Sequence, residues 1–148
     1  MTDAPQTNAD ELARRVARHL LSREGTGPAW GIEIEEAGEG YARIAMTIRA
    51  DMLNGHGIAH GGMIFALADT AFAYACNSRN VSTVAQAASV IFLASATAGE
   101  RLVAEAREQA LSGRSGVYAV TVSTADGRKV AEFQGLSRSL NQPVLEPP

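Results

Sequence analysis

Residues 53–78 read LNGHGIAHGGMIFALADTAFAYACNS, and the second part of that run decides the fold. Residues 63–78, MIFALADTAFAYACNS, are rich in alanine and apolar on nearly every face of a helix. A helix with that pattern is buried all round, so the other elements of the chain must wrap it. It is shorter than a membrane span and is interrupted by Asp69.

Working outward, residues 51–62 (DMLNGHGIAHGG) hold four glycines and no sustained period, which marks a loop with unusual backbone angles. Upstream, Trp30, Ile32 and Ile34 alternate with polar residues over 30–36, and the same period recurs over 41–48. These read as two strands turned at 37–40. Residues 8–22 place Leu12, Val16, Leu20 and Leu21 at helical spacing behind Asp10 and Glu11, and GTGP then ends that amphipathic helix. Downstream come strand-like runs at 83–94, 101–111, 116–123 and 129–139, with Ser112-Gly113 and Asp126-Gly127 as turn signals. Two strands, a buried helix and four strands predict an α+β fold, an antiparallel sheet wrapped around a central helix.

A length of 148 residues suits one domain over 1–148, with an N-terminal helical segment at 1–28 and a flexible tail expected at 141–148. A net charge of -3 without a block of Lys and Arg argues against a nucleic-acid surface. The first twenty residues lack the apolar core of a signal peptide, so neither secretion nor a membrane is expected and the cytoplasm is the default. The single cysteine, Cys76, sits among apolar residues and reads as a buried small hydrophobe.

Asp69 is the anomaly. It lies among Phe65, Leu67, Phe72 and Tyr74, where only Thr70 offers a polar neighbour on the helix. Burying a carboxylate is costly unless it is paired, hydrogen-bonded or protonated. Desolvation raises its pKa, which suits a general base near neutrality. The competing reading gives Asp69 a solvent channel or a bond to a neighbouring strand and no chemistry. The second feature is the helix start at Gly61 and Gly62, where unpaired N–H groups and the positive end of the helix dipole can stabilise an oxyanion, or can simply begin a helix.

Eight residues separate Gly61 from Asp69, or ~12 Å along a helix axis. One carbonyl carbon cannot stand about 3 Å from both. If both act in one reaction they come from different chains, most simply two antiparallel copies of this helix about a two-fold axis.

Asn54, in NGHG, is a turn former or an amide that orients a water or a carbonyl. His56 and His60 have i, i+4 spacing, but on a glycine-rich loop with no third ligand, so no metal is expected. His60 reads as a hydrogen-bonder that shapes the loop, and His19 as a surface residue. The phosphate-binding loop with its Lys and the dinucleotide fingerprint are both missing. Arg114 in SGRS and Arg138 in SRS are weak candidates for phosphate contact.

The run at 53–78 closely resembles the hotdog-fold acyl-CoA thioesterases of the bacterial phenylacetic-acid-degradation type, and the flanking strand order agrees over nearly the whole chain. The resemblance implies that Asp69 is the catalytic carboxylate and Gly61 the backbone donor that polarises the thioester carbonyl. Asn54, His60 and Gly62 would shape the same pocket. It also implies a homodimer with sites at the interface, assembled into a homotetramer, and hydrolysis of phenylacetyl-CoA or its ring-hydroxylated derivatives with no cofactor beyond the CoA of the substrate. Relatives often carry Arg-Pro after Phe-Leu, where this chain has Ala94-Ser95. Some place Ser or Thr on the third strand near the carboxylate, where Thr83, Gln86 and Ala87 lie here. The alternatives are a medium-chain acyl-CoA thioesterase and a non-catalytic acyl-CoA-binding hotdog protein. A hotdog hydratase ranks below these because no His follows Asp69.

Overall fold

The structure is a computed structural model that describes residues 7–147. Helix α1 (Asn8–Arg23) starts where the Thr7 hydroxyl accepts the Asp10 N–H at 3.1 Å, and it buries Ala13, Val16 and Ala17. Its next turn is a short second helix, α2 (Thr26–Trp30), closed by Gly31 at φ +66. This corrects one sequence expectation: Trp30 belongs to a helical turn, and β1 (Glu33–Gly38) begins three residues later. A left-handed residue at 31 cannot continue a strand, so the alternation through Trp30 does not report strand structure. Strand β2 (Tyr41–Thr47) pairs antiparallel with β1, and the turn is held by the Gly40 N–H donating to Ser78 Oγ at 2.8 Å.

A short 3-10 turn at Ala50–Met52 and the glycine-rich loop lead into α3 (Gly61–Cys76). Strands β3 (Thr83–Phe92), β4 (Arg101–Ser112), β5 (Ser115–Thr124) and β6 (Lys129–Ser139) follow. The six strands form one antiparallel sheet in the order β1-β2-β4-β5-β6-β3. Its concave face presents Ala42, Ile44, Leu102, Ala104, Val120 and Val122, all fully buried. Alanines at 42, 104 and 106 let the helix lie close to the strands, while Leu67 and Phe72 fill the space between. Each large apolar side chain sealed in this way contributes about 1.5–3 kcal/mol. Phe72 stacks edge-on to Tyr118 at 5.4 Å and tilts against Phe133 at 5.8 Å. Gly135 makes that contact fit, since a Cβ there would stand 2.8 Å from the Phe72 ring. This sheet around a central helix is the hotdog architecture.

Two surfaces depart from a helix buried all round. Met63, Ala66, Asp69, Thr70 and Ala73 are only half-buried, a strip at three- and four-residue spacing along one side of α3. Strand β3 pairs only with β6, and every residue from Val84 to Ser89 is exposed, as are Ile91 and Phe92. The sheet curls around three sides of the helix and leaves the fourth open. At the far end, the segment expected as a loose tail is tied by the N–H groups of Val144 and Leu145, which donate to Asn80 Oδ1 at 3.1 and 2.8 Å. No helix among the described residues is long and apolar enough to cross a membrane.

Candidate active site

The loop before α3 is built by Asn54. Its Oδ1 accepts the His56 N–H at 2.9 Å and the Ile58 N–H at 3.4 Å, while its backbone N–H donates to the Ile58 carbonyl at 2.8 Å. The side-chain oxygen is therefore spent on the turn, and the amide N–H2 is the part left for a ligand. His60 is the N-cap of α3: its Nδ1 accepts the Gly62 N–H at 2.9 Å. That bond occupies Nδ1 and leaves Nε2 for other partners. It also separates the two glycines that the sequence left together. The Gly62 N–H is taken, whereas the Gly61 N–H has no acceptor among the described residues.

Asn54, Ile58, Gly61, Phe92 and Ser95 line a cleft of about 390 Å³. The Phe92 ring meets Gly61 edge-on, and a Cβ at 61 would lie 3.0 Å from Phe92 Cζ. Glycine at 61 thus serves two ends: it exposes the N–H and it leaves room for the ring. In the sequence Phe92 figured only within the run 83–94, as the first residue of the Phe-Leu pair compared with relatives.

Asp69 lies eight residues further along the same helix, on the open strip. Burial raises its pKa, and no hydrogen bond or ion pair from a described residue compensates. The sequence alternative in which a neighbouring strand bonds Asp69 is not what the structure contains. Thr70 is turned back onto its own helix, donating to the Ala66 carbonyl at 2.8 Å. On β3, Gln86 is the bulged residue between Ala85 and Ala87 and is exposed, while the Thr83 hydroxyl donates to the Val81 carbonyl. Arg114 grips the Ser139 carbonyl at 2.8 Å, and Arg138 is exposed at the far end of β6. Cys76 is buried and its thiol is pushed up to about 12 by desolvation, which keeps it unreactive. Another cleft, of about 350 Å³ beside Ala87, Ser89, Val117 and Leu136, has no ionisable lining residue.

A free N–H at a helix start and a desolvated carboxylate are both groups suited to addition to a carbonyl, and within one chain they stand eight residues apart on α3. The model of the thioesterase superfamily matches residues 56–131, and the chain belongs to that family. It is 40% identical over 124 residues to acyl-coenzyme A thioesterase PaaI of Escherichia coli, covering 84% of this chain and 89% of that protein. The structure of E. coli PaaI, from the phenylacetic acid degradation operon, superposes with a TM-score of 0.90 at 38% identity, over 92% of this chain and 99% of that one. A mutant of phenylacetic acid degradation protein PaaI from Thermus thermophilus gives 0.76 at 38% identity, covering 79% and 100%.

Proposed function

We propose that this protein hydrolyses acyl-CoA thioesters, with an aryl-acyl group such as phenylacetyl as the first candidate and a role in phenylacetate catabolism. The observation that carries the reading is the unpaired, desolvated Asp69 on the open side of the helix whose first N–H, at Gly61, is also free.

Gly61 and Asp69 are too far apart to meet at one carbon, so the working site needs two chains. The open strip of α3 and the bare edge of β3 are the surfaces a second copy would cover. Antiparallel pairing of two β3 strands about a two-fold axis would bring each α3 strip against the other, with Asp69 of one chain near Gly61 of its partner. Two such dimers would give the homotetramer that the resemblance implies.

In the reaction, the Gly61 N–H and the Asn54 amide hold the thioester carbonyl. Ionised Asp69 takes a proton from water as the water oxygen bonds to the carbonyl carbon, and the oxyanion is held by Gly61. Collapse breaks the C–S bond, and the proton on Asp69 passes to the departing thiolate. The alternative route has Asp69 attack the carbonyl itself and form an anhydride that water then opens. Both routes use only a carboxylate and the N–H donors of Gly61 and Asn54, so neither calls for a metal or redox group. A cytoplasmic setting accords with a lone buried thiol and a CoA substrate.

The test is thiol release from phenylacetyl-CoA by wild type and by Asp69→Ala, with folding and size checked for both. Loss of at least about 100-fold supports the reading. A wild type that binds the thioester and leaves it and a wider acyl-CoA panel intact would instead be a binding protein. In the active case, a single turnover in heavy-oxygen water separates the two routes: label enters Asp69 only if it is the nucleophile.

A further inference from the structure

Residues 93–97 follow β3 as irregular chain, and Leu93, Ala94 and Ser95 line the cleft beside Gly61. Irregular backbone has no ladder to hold it, so its polar groups are placed one by one. The Leu93 and Ala94 N–H groups donate to the Val130 carbonyl at 2.8 and 3.2 Å. Further on, the carbonyl of the fully buried Ala96 accepts the Ala59 N–H at 2.7 Å. Between these two anchors the Ser95 carbonyl is held by a side chain, Arg128, whose Nη1 donates to it at 2.7 Å.

The turn between β5 and β6 places Arg128 for this contact. The hydroxyl of buried Thr124 accepts the Arg128 N–H at 3.1 Å, and the Thr124 N–H donates to the Arg128 carbonyl at 2.9 Å. The other arm of the guanidinium, Nη2, donates to Glu100 Oε1 at 2.9 Å, and Glu100 Oε2 accepts the Thr97 N–H at 2.7 Å. Glu100 is itself a fixed point, because its carbonyl accepts the Ile48 N–H at 2.9 Å at the end of β2. One planar fork thus spans the loop, gripping Ser95 directly and Thr97 through Glu100, which a single ammonium could not do. The two side chains are 44% and 32% exposed. Ion pairs so exposed contribute little to global stability, so the clamp sets position more than it sets folding.

Position counts here because of what Ala96 carries. The Ala59 N–H that it accepts lies two residues before Gly61, and the intervening His60 N–H is fixed to the Met52 carbonyl at 2.8 Å. A displacement of 95–97 is therefore passed along a short, bonded stretch of backbone to the Gly61 N–H. Oxyanion stabilisation depends on the aim of such a donor. A misplacement of about 1 Å can cost as much as ~100-fold in rate.

We propose that Arg128 is a positioning residue, acting through Ser95, Ala96 and Ala59 to aim the Gly61 N–H without touching the substrate. The proposal rests on the thioesterase reading above, and its test carries one readout that does not need hydrolysis. Arg128→Ala, Arg128→Lys and Glu100→Ala are checked for native circular dichroism and size. Hydrolysis of phenylacetyl-CoA and amide hydrogen exchange by NMR are then measured for each. Arg128→Ala should lower kcat about tenfold with KM within about twofold, the signature of an interaction that counts only in the transition state. Arg128→Lys should recover part of that loss, and Glu100→Ala, which cuts only the Thr97 arm, should lose less. The Ala59 amide should exchange about tenfold faster in Arg128→Ala, with Val120 and Val122 in the middle of the sheet unchanged. Wild-type exchange at Ala59, or folded variants that change KM or the melting temperature and leave kcat alone, overturns the proposal. Should Arg128→Ala fail to fold, the same two readouts on Glu100→Ala and Arg128→Lys decide it. A wild type that cleaves no thioester overturns the thioesterase reading instead, and exchange at Ala59 then decides by itself whether Arg128 holds this backbone.

Discussion

At the residue scale, Asp69 links activity to a stability cost. Burial holds its carboxyl above the ordinary aspartate value of 3.8, so the folded chain holds that proton more tightly than the unfolded one. Its favourable contribution is full below the unfolded value and is lost as pH rises through the raised folded value. Asp69→Asn should therefore be inactive yet melt about 2–4 °C higher than wild type near pH 7, a shift that ~1 kcal/mol produces in a chain of this length. The gain should vanish near pH 3, as differential scanning calorimetry at the two pH values would reveal. In the proposed reaction Asp69 acts in its ionised form, so kcat should climb with pH along a limb lying above the usual aspartate range. Gly61→Ala keeps the backbone N–H but sets a methyl 3.0 Å from Phe92 Cζ. Because Phe92 is half-exposed, the chain should fold and lose activity on the order of tenfold, ~1.4 kcal/mol in the barrier. Adding Phe92→Ala should restore most of it. If the double variant stays as slow as Gly61→Ala, the ring is not the cause.

Among elements, the end of α3 and its seat on the sheet are the points where one side chain holds two segments together. Asn77 donates to the Ala73 and Thr83 carbonyls at 2.8 and 2.9 Å and accepts the Thr83 N–H at 2.9 Å, stapling the helix end to the start of β3. Asn77→Ala removes the partner of the Thr83 N–H, while the Ala73 carbonyl keeps the backbone N–H of residue 77, and it should cost about 1–3 kcal/mol in chemical denaturation. Gly135→Ala puts a methyl 2.8 Å from the Phe72 ring, where Tyr118 and Phe133 prevent retreat. Overpacking of about 1–3 kcal/mol is expected. A melt unchanged from wild type would mean that the ring has room that the packing denies.

For the whole molecule, the apolar edge strand is the feature that bears on assembly. Ile91, Phe92 and Leu93 are 64%, 51% and 54% exposed, and Val84 is 48% exposed, on a strand with one unpaired edge. Such an edge is normally paired or covered. Sedimentation should find a dimer or larger assembly, with a melting temperature that rises with protein concentration. Val84→Lys should shift the population toward monomer and lower hydrolysis in step. An active monomer would remove the two-chain site.

Much of this protein was legible from its residues alone. The alanine-rich helix required a surrounding sheet, period-two runs located β2 to β6, and a carboxylate in an apolar helix singled out Asp69. The readings of the helix and strands succeed because periodicity is a local property of the chain, and the desolvation expected at Asp69 follows from its place on that apolar helix. The tertiary structure decided what depends on neighbours distant in sequence. It moved Trp30 out of the first strand, because a left-handed Gly31 interrupts the pattern. It showed that α3 is open along one strip, since composition reports how apolar a helix is and not what covers it. It showed the Gly62 N–H tied and the Gly61 N–H free among the described residues, through a His60 ring whose orientation no spacing encodes. It also brought Phe92 against Gly61, and Arg128 onto the Ser95 carbonyl, contacts set by strand register and helix packing rather than by any motif.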